Sequence, residues 1–199
     1  MPIFFLLIIL AIALNLSASP AEAQLTGTPD IYRVTINNFE ISSNNGTSYT
    51  EIGTGGLTFN IAAASAGATV GAYFSSGSPL SASTTYNRMR VTISCTFQLR
   101  GCVGALCTQA GTDQDGGAAP AVEGSFAIPV SQVPACAAGQ FTSQSPAEGQ
   151  AGAITGCTTG TDGGLQATMK FNVTDTLVRD SPFTNTLRPG SPNVSFTCP

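Results

Sequence analysis

Between residues 86 and 99 the chain alternates strictly: Met89, Val91, Ile93, Cys95, Phe97 and Leu99 take one parity, and Arg88, Arg90, Thr92, Ser94, Thr96 and Gln98 the other. A period of two is that of a half-buried β-strand, with one face in the core and the other wet or hydrogen-bonded. Such a strand cannot cover its own apolar row. Other alternating segments must supply a second layer, which predicts an all-β chain folded as a sandwich.

Those segments are found on both sides of it. In residues 31–42, Tyr32, Val34 and Ile36 lie on one parity and Phe39 and Ile41 on the other, so the phase slips at Asn37-Asn38 and predicts a β-bulge. Asn44-Asn45-Gly46 reads as a tight turn. Residues 49–52 and 57–61 follow as two short strands split by Gly53, Gly55 and Gly56, then an alanine run over 62–68 as one helical turn. Residues 70–74 are a short apolar segment, and 75–85, rich in Ser, is a loop leading to the central strand. Phe126, Ile128 and Val130 alternate in a strand over 122–130, and Leu165, Ala167, Met169, Phe171 and Val173 in another. Val194, Phe196 and Cys198 form a last short strand. Residues 101–120 and 134–164 show no period and read as long irregular loops.

The first residues change where this chain is expected to work. Met1-Pro2, an apolar run over 3–14 and then Ala21-Glu22-Ala23 follow the plan of a secretory signal peptide over 1–23, cleaved before Gln24. The run is shorter than the ~20 apolar residues that cross a bilayer. No later segment reads as transmembrane. The remainder, 24–199, is the size of a single all-β domain, expected to be secreted, periplasmic or displayed at the cell surface.

Charge narrows the partners. Charged residues make up 9% of the chain, the seven basic ones are scattered and the net charge is −4, so neither nucleic acid nor an anionic membrane surface is an expected partner. A surface this poor in charge favours lateral association or an adhesive role. Six cysteines in an exported chain read as disulfides, since no histidine is present and no Cys-x-x-Cys spacing offers a metal site. Fifteen connectivities are possible. The local spacing suggests Cys102 with Cys107, and Cys136 with Cys157 across the polar stretch, leaving Cys95 for Cys198.

Catalytic chemistry finds little to stand on. Without histidine there is no Ser-His or Cys-His system and no ordinary acid-base residue near neutrality, and no cofactor motif is present. Glu40, Glu51, Asp113, Asp115, Asp175 and Asp180 sit in no recognisable motif and read as solvated charge; Lys170 alternates outward on a strand. Asp113-Gln114-Asp115-Gly116 opens like a calcium loop but lacks the later ligands, so no metal is expected. Asn45, Asn172 and Asn193 head formal glycosylation sequons. Arg88 and Arg90, on the polar parity of the central strand, either form a guanidinium-bearing binding face or bridge neighbouring strands through carboxylates such as Glu40. Tyr73, Phe74 and Tyr86, flanking the 75–85 loop, either complete a candidate interaction surface or cap the end of the core.

The string Thr84-Thr85-Tyr86-Asn87-Arg88-Met89-Arg90-Val91-Thr92, preceded by Ile61-Ala62 and by Ile31-Tyr32-Arg33-Val34-Thr35, resembles exported bacterial proteins with an immunoglobulin- or transthyretin-like β-sandwich, over about residues 28–101. That resemblance implies an immunoglobulin-like antiparallel sandwich at a bacterial surface, without catalysis. The expected function is therefore a non-enzymatic structural or adhesive protein, a subunit of an envelope or extracellular assembly that meets itself, a surface partner or a glycan. A sharper form has the arm from Gln24 to Asp30 pairing with a neighbour's sheet edge. The alternative is a monomeric small-ligand or glycan-binding module using loops at one end, 75–85 and the Cys102 to Cys107 loop.

Overall fold

The computed structural model describes residues 25–64, 80–111, 114–145, 154, 157–165, 168–181 and 184–198. The signal segment, the apolar stretch 70–74 with Tyr73 and Phe74, and Asp113 lie outside the described residues. The fold is mostly β, built of antiparallel sheets, with a single α-helical turn, Ile61–Ala64, and one 3-10 turn, Pro134–Ala138, among the described residues.

The main sheet is organised on β2 (Ile31–Ser42), which follows the short arm strand β1 (Leu25–Gly27). One edge of β2 pairs with β3 (Thr50–Asn60). After β4 (Thr85–Tyr86), the other edge takes β5 (Arg88–Ser94) along its second half and β6 (Thr96–Arg100) along its first. The 86–99 alternation is thus two strands in line, not one. Between Arg33↔Gln98 and Ile36↔Ile93, β2 advances three residues while its partner advances five, and the surplus is absorbed at Cys95.

The next ribbon outward explains that break. A tight hairpin, β7 (Cys102–Val103) and β8 (Leu106–Cys107), leads to β9 (Gly124–Ala127), which pairs with β6, and β10 (Gln140–Gln144) pairs with β5. Ala127 faces Thr96 and Gln140 faces Ser94, so residues 128–139 leave and rejoin the sheet opposite Cys95 alone. Cys95 serves both ends of the excursion: its carbonyl accepts from Ile128 N–H at 2.8 Å and its N–H donates to the Gly139 carbonyl at 2.9 Å. The sheet is therefore four ribbons wide: β3, β2, β5 with β6, and β10 with β9.

Local chemistry fixes the joins. The bulge expected at Asn37-Asn38 is there: register slips between Ile36 and Asn38 against both neighbours, returning Phe39 and Ile41 to the buried face. Asn45 and Gly46, at φ 57° and 88°, form the turn that sends the chain from β2 into β3, a left-handed pair that Asn-Gly adopts readily. The two strands expected over 49–61 are one irregular strand, because Gly53 to Gly56 are accommodated by register shifts along β2.

Smaller pairings lie beside the sheet: β11 (Cys157–Thr158) with β4, β12 (Thr168–Asn172) with β15 (Asn193–Thr197), and β1 with β13 (Leu177–Arg179), which also pairs β14 (Leu187–Pro189). One hydrophobic cluster joins Tyr32, Phe39, Val91, Phe97, Leu99 and Phe126 of the main sheet to Ile61, Tyr86, Val173, Leu177 and Leu187. Tyr32 sits at its centre, edge-on to Phe97 at 5.7 Å, and its hydroxyl donates to the Gly190 carbonyl at 2.9 Å.

Burial pushes the Tyr32 phenol well above its ordinary value. Its stabilising contribution is whole below about pH 10, where an unfolded tyrosine titrates, and is lost as pH rises past it. Unfolding monitored by circular dichroism should show that alkaline loss in the native chain and a shallower one in Tyr32→Phe. That variant also gives up one hydrogen bond, about 1 kcal/mol at neutral pH. An identical alkaline slope in both would refute the assignment.

Three expectations are corrected. Cys95 pairs with Cys136, and Cys157 with Cys198, in place of Cys95 with Cys198 and Cys136 with Cys157; Cys102 is bonded to Cys107. The reason is register: the Gln140↔Ser94 pairing brings the 3-10 turn Pro134–Ala138 beside Cys95, while Cys157 is paired with Tyr86 of β4. Residues 101–120 and 134–164 are not simply loops, since they carry β7, β8, β10 and β11. The β10 sequence, Gln-Phe-Thr-Ser-Gln, has no apolar alternation, and it is a strand because the open edge of β5 takes up its backbone groups. The arm pairs within its own chain, Leu25↔Arg179 to Gly27↔Leu177, and Gly27 lies so close to the Cys102 carbonyl that a Cβ would collide with it.

Candidate functional site: the polar face of the main sheet

The face of the sheet away from the core is assembled by register. Glu51, Glu40, Arg90 and Gln144 stand in one transverse row, Thr54, Asn38, Thr92 and Thr142 in the next, and Asn60, Arg33, Gln98 and Ser125 in a third. Cross-strand neighbours on one face interact directly. The hydroxyls of Thr35 and Thr58 lie 2.8 Å apart, those of Thr92 and Thr142 3.0 Å, and Asn37 Nδ2 donates to Gln140 Oε1 at 2.9 Å. Arg33 pairs with Glu123 at one end. The exposed large apolar side chains, Leu25, Val122, Val130 and Val194, belong to none of these rows.

The first row carries most of the charge. Arg90 grips Glu40 with both arms, Nε to Oε2 at 2.6 Å and Nη2 to Oε1 at 2.5 Å, while its guanidinium lies 4.2 Å over the Tyr49 ring. That hydrogen bonding raises the Arg90 guanidinium above its usual value, so it is a fixed cation. Of the two roles open to Arg90, bridging to Glu40 is the one the structure displays.

Arg88 is placed differently. It stands one row further along, opposite Ser42, where the Asn44 to Tyr49 turn begins. Its Nη2 donates to Gln144 Oε1 at a long 3.4 Å, and the Tyr49 hydroxyl donates to the same oxygen at 3.1 Å. Its Nε is shut off from solvent with no hydrogen-bond partner among the described residues. The backbone of Gly46 passes beside the guanidinium, so that a Cβ there would stand 3.7 Å from Cζ.

The remaining candidates are dispersed. Asp115 forms a backbone bridge to Thr186, Asp180 accepts from Arg188 at 2.7 Å, Asp175 terminates a turn at φ 58°, and Lys170 is exposed on β12. Among the described residues no three His, Cys, Asp or Glu converge as a metal site, and no helix is long and apolar enough to cross a membrane. Tyr49 and Gln144 were not singled out by sequence. Both lie on strands or turns whose neighbours are set by register, and Gln144 belongs to a strand with no periodic signal. No protein-family model, curated protein or solved structure matches this chain.

Proposed function

We infer that this chain is an exported, non-enzymatic protein with a structural or adhesive role at a bacterial cell surface, its layers an immunoglobulin-like sandwich in which the four-ribbon sheet is one wall. The observation that carries the reading is the polar face itself: hydroxyl and amide side chains already bonded across the strands, presented on a broad rigid wall. Such a surface suits many weak contacts with a hydrated polymer or a second copy better than one enclosed substrate. The pairing of all six cysteines supports an oxidising compartment. Among the described residues β3 and β10 each pair along one edge only, and β10 carries no charged residue to discourage a further strand.

The test is light scattering of the oxidised, exported protein over a concentration series. Growth of mass with concentration, reduced in Thr142→Lys on the open ribbon, is the expected result. A strict monomer throughout would remove the assembly role and leave the loop-borne ligand module.

A further inference from the structure

We propose that Arg88, with Tyr49 and Gln144, is a subsite for the carboxylate or sulfate group of an acidic saccharide. The inference rests on the adhesive reading of the polar face and names a ligand class for it. It begins with an accounting of the arginines. Among the described residues Arg33, Arg90, Arg100 and Arg188 each face a carboxylate, from Glu123, Glu40, Asp30 and Asp180, and Arg179 donates to the Thr184 carbonyl at 2.6 Å. Arg88 meets no carboxylate there. What it has is one long bond to a neutral amide oxygen and an Nε with nothing to donate to.

A half-buried guanidinium left in that state is costly, since charged donors are the most expensive to strand. An oxyanion supplies the charged acceptor that Arg88 lacks, at the Nη2 end that already reaches the exposed Gln144. Its oxygens suit guanidinium donors and also accept from the Tyr49 hydroxyl. Both donors now converge on the single Gln144 oxygen, whose residue is exposed and free to swing aside. Gly46, bare of a side chain, leaves the approach to the guanidinium uncluttered.

The surroundings favour a saccharide over an acidic protein. The neighbouring rows offer hydroxyls and amides from Thr92, Thr142, Asn38 and Gln140, which match sugar hydroxyls. Among the described residues the exposed large apolar side chains, Leu25, Val122, Val130 and Val194, stand in none of these rows. The net charge of −4 works against diffuse attraction of any polyanion, so retention must come from a particular site.

The experiment measures binding of the oxidised full-length protein to polygalacturonate, heparin, poly-glutamate and dextran by titration calorimetry. Polygalacturonate or heparin should bind and dextran bind at least tenfold more weakly; which of the two is preferred tells carboxylate from sulfate. Arg88→Gln should weaken the favoured glycan at least about tenfold, and Arg88→Lys should restore part of it. Gln144→Glu places a carboxylate of the protein's own against Arg88 and should block binding to a similar degree with the cation still present. Lys170→Gln should change little. Absence of glycan binding, equal binding of poly-glutamate, or full retention in both Arg88→Gln and Gln144→Glu would overturn the proposal. A protein that grows in light scattering yet binds no polyanion loses this subsite while keeping its adhesive role; one that binds glycan as a strict monomer loses the assembly role alone.

Discussion

Phe126→Ala is expected to destabilise the protein by about 3–5 kcal/mol, the usual cost of emptying a fully enclosed aromatic site. Phe126 is completely buried on β9, directly across from Phe97. Phe97 in turn meets the edge of Tyr32, whose hydroxyl donates to the Gly190 carbonyl just beyond β14. Removing the ring therefore opens a void beside the contacts that join the main sheet to the β13 and β14 segment. Domains of this kind are stable by only about 5–15 kcal/mol, so a urea titration should show the midpoint fall sharply with its slope unchanged. A loss below about 1 kcal/mol, the scale of an ordinary surface substitution, would mean that this ring is not in the core.

Breaking the Cys157–Cys198 bridge by a double alanine substitution should be of similar size. The bridge spans 41 residues, and loop-closure entropy puts its contribution near about 4 kcal/mol. Its Cys157 end is buried beside Tyr86 through the β4 and β11 pairing, so the loss also frees a strand that has no other neighbour among the described residues. The Cys102–Cys107 bridge closes a separation of only 5, for which the same reasoning gives about 2 kcal/mol. Thermal melts of the two double variants should fall in that order. Equal losses would show that strain or packing, rather than chain entropy, sets the contribution of each bridge.

Much of the main sheet could be read from the sequence because it rests on local chemistry. The slip at Asn37-Asn38 shows in the apolar parity and is a bulge in the fold. Asn45-Gly46 names its own turn, and the parity of Val91, Phe97 and Leu99 names the buried face. What escaped was set by partners distant in the chain. Gln140 to Gln144 carries no pattern of its own, and only the open edge of β5 makes it a strand. Without it the neighbour of Cys95 could not be known, and four of the six cysteines were matched wrongly, Cys102 with Cys107 alone being right. The candidate site divides in the same way. Arg88 and Arg90 were legible from their shared parity, and Glu40 as a partner from its nearby strand. Tyr49 and Gln144 enter only once a turn and a patternless strand have been laid beside them.

The excursion at Cys95 has a consequence for how such a protein can diversify. Because residues 128–139 depart from and return to the two backbone groups of one residue, the sheet on either side keeps its register whatever the length of the insert. The Cys95–Cys136 bond ties that insert to the wall it leaves. Sequence can be gained, lost or exchanged between the Ile128 and Cys136 anchors without shifting a single partner in β9 or β10. It is a natural cassette, the place where a lineage can try out new decoration and where an engineer can splice a foreign epitope.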